Sequence, residues 1–172
     1  MKHHRSIMAL HWLTGLLVLI VFSAILYREG LDDGDQRKLW LDIHRAVGLS
    51  ILGFVLIRAI VRLRFGREPV VKTTPLLHVL SVSGQLVMYV AMIALPLLGW
   101  AQSSARARHF KLFDVQLPSL VSHDPDFADV LAEWHETLAW VFLGFIALHF
   151  LAALYHHFIR KDDVLRSMVP WR

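Results

Sequence analysis

Cysteine is missing from all 172 residues, and its absence excludes disulfides, iron–sulfur clusters and thiolate chemistry. Charge is scarce as well: Asp, Glu, Lys and Arg make up only 19% of the chain, and long stretches have almost none. The first apolar run is not followed by a small-residue cleavage site and outlasts the roughly 7 to 15 residues of a signal-peptide core, so it is expected to be a retained helix. Internal repeats and low-complexity tracts are also absent.

What fills the chain is hydrocarbon. Hydrophobic residues make up 56%, above the roughly 45–50% of a soluble domain. Four stretches are long enough to cross a bilayer of about 30 Å: residues 7–27, 40–63, 76–101 and 130–159, the last opening on an amphipathic lead-in before its apolar part begins at Thr137. The expected fold class is all-α, a single integral-membrane four-helix bundle over residues 1–172, with residues 103–129 forming a capping loop rich in Phe, Leu and Val.

Orientation follows from lysine and arginine, which accumulate on the cytoplasmic side. Lys2, Arg5, Arg62, Arg64, Arg67, Lys72, Arg160, Lys161, Arg166 and Arg172 fall on one side. Arg28, Arg37, Lys38, Arg106, Arg108 and Lys111 fall on the other, among eight carboxylates from Glu29 to Asp129. Both termini are therefore expected in the cytoplasm. The net charge of +4 is concentrated in a cytoplasmic belt that suits anionic lipid and argues against a nucleic-acid partner.

The stretch from Glu133 to Asp163 sets His135 and His149 into one apolar run. Fourteen helical positions return the second imidazole to within roughly 40° of the first, about 21 Å further along the axis. A titratable group at membrane depth needs something to satisfy it and marks a candidate site. His11, about one turn inside the first span, matches the depth of His149, and His44, about one turn inside the second, matches that of His135. Two imidazoles meeting across a bundle, with no cysteine or carboxylate beside them, suit the axial positions of haem iron better than tetrahedral zinc. Isolated hydrogen-bonded histidines or a proton path are the alternatives. Gly15 and Gly48 lie one turn after His11 and His44, where a flat macrocycle needs clearance, though glycine also serves ordinary helix packing.

The remaining histidines have plainer readings. His3 and His4 belong to a solvated tail, and His109 and His123 to exposed loops. His156 and His157 end the last helix, where they fit either an interfacial role or a ligand or quinone contact. The third span carries His78, Gln85 and Tyr89 but no histidine at either matched depth, and Pro96 inside it should kink or loosen a turn.

The motifs LHW at Leu10–Trp12, HRAVG at His44–Gly48, IALPLLG at Ile93–Gly99, WHETLA at Trp134–Ala139, HFLAALYHHFIRKD at His149–Asp162 and the closing VLRSMVPWR resemble the bacterial cytochrome b561 family of small four-helix dihaem membrane proteins, which includes superoxide oxidases. The resemblance runs through the whole chain. It implies two haem b groups, with His11 and His149 as metal ligands of the cytoplasmic one and His44 and His135 of the periplasmic one, in the bacterial inner membrane. It further implies ubiquinone as electron acceptor and superoxide as the donor to be tested first. The alternatives are a cytochrome b subunit linking quinone to a separate periplasmic dehydrogenase, and a non-redox membrane anchor. Gln85 stands where relatives lead one to expect histidine, which leaves a quinone contact from the third span without support. The expected quinone group is Arg58, His156 and His157. Arg45, beside His44, and the cluster Arg106, Arg108 and Lys111 are expected to guide the superoxide anion, with haem propionates or lipid headgroups as the other uses for these cations.

Overall fold

The computed structural model describes residues 5–65, 74–108, 111–112 and 115–168. His3, His4 and His109, and the cations Lys2, Arg67, Lys72 and Arg172, lie outside the described residues, as do Gly66, Pro69 and the side chain of Lys111. Four helices carry nearly everything else: α1 (Arg5–Glu29), α2 (Asp35–Phe65), α3 (Pro75–Ala105) and α4 (Pro125–Leu154). Each is long and apolar enough to cross a membrane. The packing is closest between α1 and α2 and between α3 and α4, with α2 against α3 joining the two hairpins.

α2, α3 and α4 each outrun the apolar part by about a turn at one end, and α1 by two residues at each end, because the hydrogen-bond ladder continues through Arg, Asp, Gln and Ser once a span has nucleated it. The interval of residues 28–39 between the first two expected spans is thereby reduced to a loop of residues 30–34, and the capping segment expected over 103–129 to residues 106–124. Sharp starts are set chemically. Thr74 and Asp124 cap α3 and α4 by accepting from the N–H of Leu77 and Phe127, and Pro75 and Pro125 stand at first-turn positions where no N–H is needed. α3 runs unbroken through Pro96. α4 passes directly into a π-helical turn, Tyr155–Arg160, closed by Lys161 in the left-handed region at φ 53°.

The buried core is small, and its main cluster sits at one level. Val18, Ile51, Val55, Ala91, Met92 and Phe142, from all four helices, form one cluster. Phe142 is seven residues from His135 and from His149, and Ile51 is seven from His44, so this plug sits midway between the two histidine levels. A second cluster, Ala105, Ala128 and Leu131, closes the end of the bundle beyond His135. There the 106–124 segment is pinned to α3: Trp100 donates to the Pro118 carbonyl at 3.0 Å, the Leu120 N–H to Ser104 Oγ at 3.1 Å and the Asp124 N–H to the Ala105 carbonyl at 3.0 Å. It includes a two-residue antiparallel ladder with Lys111 opposite Gln116. Outward faces are dressed in bare Leu, Ile and Phe, with Leu63 at 86% and Ile159 at 69% exposure. Apolar surface on this scale is stable against lipid and not against water.

Candidate functional site

α2 and α4 run in the same direction, and α1 against them, so the spacing of fourteen on α4 is converted into two levels. At one, His44 of α2 faces His135 of α4 with ring centroids 6.1 Å apart and planes at 72°. At the other, His11 of α1 faces His149 of α4 at 6.1 Å and 74°. The structure thus brings together the pairs that matched depth alone indicates.

Hydrogen bonds orient the first pair. His44 Nδ1 lies 3.0 Å from the carbonyl of Val21 on α1, and His135 Nδ1 lies 3.0 Å from the carbonyl of Leu95 on α3. A carbonyl only accepts, so Nδ1 of each ring is the protonated nitrogen and Nε2 is left with its lone pair, the tautomer of a metal-ligating histidine. Leu95 directly precedes Pro96. Gly99, three residues on, permits the approach: a Cβ there would stand 3.3 Å from His135 Cε1 and 3.5 Å from Nδ1. A Cβ at Gly15 would meet nothing within 4 Å and one at Gly48 only Val21 Cγ2 at 3.8 Å, so there is open space one turn past His11.

The donor set decides which group this space fits. Two imidazoles on one metal at about 2.0–2.1 Å each, with ring centroids roughly 1.1 Å behind the bonded nitrogens, stand about 6.2–6.4 Å apart. Both pairs, at 6.1 Å, come within about 0.3 Å of it. Among the described residues no three His, Asp or Glu side chains gather as a metal group, which disfavours a tetrahedral site. A metal-bearing macrocycle that asks the protein for only two imidazoles would be held by His44 with His135 and by His11 with His149.

The cations expected to guide an anion stand in different surroundings. Arg106 is engaged by Asp129 at 2.6 Å. Arg45 is mostly buried, pairs with Asp42 at 3.3 Å and lies within electrostatic range of Arg108 and Arg28. Arg28 also reaches His44 in this way. Arg28 and Arg45 thus stand near His44, with Arg108 near Arg45, while Arg106 is held by Asp129. The expected quinone residues divide too. Arg58 faces Tyr89 of α3, 5.3 Å from guanidinium carbon to ring centroid, and its charge reaches His149. His156 turns to Asp162 at 2.6 Å, and His157 stacks edge-on with Phe158 at 4.8 Å. Gln85 accepts from Arg62 at 2.6 Å, and His78 is exposed near the start of α3.

Several participants escaped the sequence reading. The carbonyls of Val21 and Leu95 carry no sequence signal at all. Gly99 has one, a glycine one turn after a proline inside an apolar helix. Trp12, beside His11, donates to the Met168 carbonyl at 2.7 Å, which hooks the end of the described chain across to α1.

The whole chain has known relatives. It matches the prokaryotic cytochrome b561 family over residues 2–171. It is 35% identical over 162 residues to the probable superoxide oxidase CybB of Yersinia pestis, covering 94% of this chain and 92% of that protein. It is 28% identical over 165 residues to cytochrome b561 homolog 1 of Escherichia coli (strain K12), covering 95% and 94%. Cytochrome b561 homolog 2 of the same organism is 27% identical over 165 residues, covering 94% and 87%. A multi-pass bundle with two facing imidazole pairs and a family match from end to end lead to one assignment: the chain belongs to the prokaryotic cytochrome b561 family, membrane proteins of electron transport for which haem b is the implied cofactor.

Proposed function

We propose that this protein is a dihaem electron carrier of the bacterial inner membrane that oxidises superoxide at the periplasmic face and reduces ubiquinone near the cytoplasmic face. The observation that carries the reading is the repeated imidazole pair, 6.1 Å apart at each of two levels. The name of the Yersinia pestis relative supports superoxide as the donor. Both termini are assigned to the cytoplasm, which puts His44 and His135 at the outer level and His11 and His149 at the inner.

Haem b, when bound, supplies reversible one-electron chemistry at its iron. The chain's own residues do the rest. His44 and His135 would hold the outer group and His11 and His149 the inner one, with the Val21 and Leu95 carbonyls fixing the two outer rings. The plug of Val18, Ile51, Val55, Met92 and Phe142 keeps water out of the gap between levels. Arg28, Arg45 and Arg108 give the outer level a focused positive field that draws an anion in. Each superoxide anion gives up one electron and leaves as dioxygen. Two such electrons and two cytoplasmic protons convert ubiquinone to ubiquinol, and Trp12, His156 and His157 border the level where those protons are needed.

Stopped-flow mixing of the purified oxidised protein with superoxide, with and without a ubiquinone analogue, tests the function: haem reduction on mixing and quinone-dependent reoxidation are expected. The ligand assignment is tested separately. His44→Ala or His135→Ala removes one haem and spares the other, and His11→Ala or His149→Ala does the converse. Two intact low-spin haems in any of these variants would end the pairing.

A further inference from the structure

Arg58 and Arg62 are four residues apart on α2 and share one face. Both guanidinium groups lie against the ring of Tyr89 on α3, at 5.3 and 5.4 Å from its centroid. Arg62 also donates to Gln85 Oε1 at 2.6 Å, and Gln85 in turn donates to Ser81 Oγ at 3.2 Å. Among the described residues neither arginine forms an ion pair, and Arg58 Nε and the Tyr89 hydroxyl are buried without a hydrogen-bond partner. A cation over an aromatic ring gains attraction from the ring's face, but its N–H groups still need acceptors. In hydrocarbon no water supplies them. The donors therefore lack an anion.

Depth identifies which one. Arg58 follows His44 by fourteen residues on α2, as His149 follows His135 on α4. Since His44 and His135 face each other and the two helices run together, Arg58 stands at the level of His149, and its charge is felt there. Arg62 is one turn further toward the end of the bundle. His11 and His149 come from α1 and α4, while the arginines and Tyr89 come from α2 and α3 and border the same level from the sides the imidazoles leave open. The planar fork of a guanidinium matches a carboxylate in bidentate fashion, and a neutral quinone carbonyl cannot neutralise it.

We propose that Arg58, Arg62 and Tyr89 form a carboxylate clasp for the propionates of the haem held between His11 and His149, a role different from the quinone contact the sequence assigns to Arg58. The proposal rests on the dihaem reading above.

The test starts with the haem-to-chain ratio of the purified wild-type protein by pyridine haemochrome. A ratio below two overturns the dihaem reading and the clasp with it. With a ratio of two, Arg58→Gln and Arg62→Gln are compared with wild type by redox titration and by resonance Raman of the propionate-bending modes. Expected is a lowered midpoint potential, or outright loss, of the one haem that His149→Ala removes, with its propionate mode shifted and the other haem unchanged. Arg58→Lys keeps the charge and loses the fork, so it should retain most of the potential and still shift the mode. Tyr89→Phe should shift the mode alone. Should Arg58→Gln fail to accumulate, Arg58→Lys and Tyr89→Phe carry the same readouts. Wild-type potentials and propionate modes in all variants overturn the clasp while leaving two haems in place. Loss of co-purifying lipid phosphorus, or a raised KM for the quinone analogue, with both haems untouched, overturns it in favour of a lipid phosphate or the quinone.

Discussion

Gly99 acts through what it lacks. Its missing side chain lets α3 approach His135, whose Cε1 would stand 3.3 Å from a Cβ at that position. Gly99→Ala forces the ring to give by a few tenths of an ångström against its 3.0 Å bond to the Leu95 carbonyl, a strain of the order of 1–3 kcal/mol for overpacking. If the proposed dihaem arrangement holds, the expected outcome is a disturbed absorption and EPR signal from the haem held by His44 and His135 only. Gly15→Ala makes the complementary case, since the protein itself offers nothing within 4 Å for the new methyl group to strike. If that space belongs to the inner macrocycle, Gly15→Ala lowers inner haem occupancy; full occupancy would mean that the space has another use. The two glycines also mark what a sequence can and cannot convey. Gly15 stands out by its turn from His11, whereas Gly99 owes its role to α4, a neighbour thirty-six residues away, and only the assembled pair of helices reveals the contact.

At the scale of elements, the end of α4 departs most from a plain span. The helix widens into a π turn over Tyr155–Arg160, its His156 carbonyl accepts from the N–H of Lys161 and of Asp162, and Lys161 turns the chain back. Asp162 anchors the reversal through His156 Nδ1 at 2.6 Å and the Val164 N–H at 3.2 Å. Burial works to raise the Asp162 carboxyl, but the hydrogen bonds from His156 and Val164 and the charges of His156 and Arg160 outweigh it and hold the group below its usual value. The sign for stability follows. A carboxylate with a depressed folded-state pKa contributes stability that is fully present above its unfolded value of about 3.9 and is lost as pH falls through the lower folded value. Amide-exchange protection of residues 163–168, corrected for intrinsic rates, is thus expected to hold from neutral pH down to about pH 5 and to fall below about pH 4. In Asp162→Asn it should already be a few-fold lower at pH 7, as a partly exposed pair worth under about 1 kcal/mol allows, with no further acid step. None of this was legible in the order HHFIRKD, which reads as an ordinary basic helix end, because the Asp162 contacts that hold the reversal form only once the chain has turned back on His156. The four spans, by contrast, were legible almost to their ends. Hydrocarbon thickness dictates their length, and the missed turns at each margin are polar residues that extend a helix already formed.

For the whole molecule, charge is distributed so that attraction and repulsion compete at the outer face. The loops there hold as many acids as bases or more, so a steered anion must be drawn by a local concentration of cations. The sequence placed that concentration at Arg45 and at Arg106, Arg108 and Lys111. In the fold Asp129 pairs with Arg106, Arg28, at the end of α1, joins Arg45 near His44, and Arg108 lies near Arg45. Linear order could not give this set, because its members come from α1, α2 and the turn after α3. Arg28 has Glu29 beside it and Arg45 has Asp42, whereas Arg108 forms no ion pair among the described residues and is exposed. Arg108→Gln should therefore slow the bimolecular reduction of the outer haem by superoxide several-fold at low salt. Its rate should also depend less steeply on ionic strength, since steering acts on encounter and is screened within about 10 Å at 0.1 M salt. Arg106→Gln, which removes a cation already neutralised by Asp129, should change the rate and salt slope far less. Haem content stays at the wild-type level in both, which separates guidance of the anion from loss of the cofactor. Equal effects of the two substitutions would return the steering role to the loop's total charge and remove it from the group around His44.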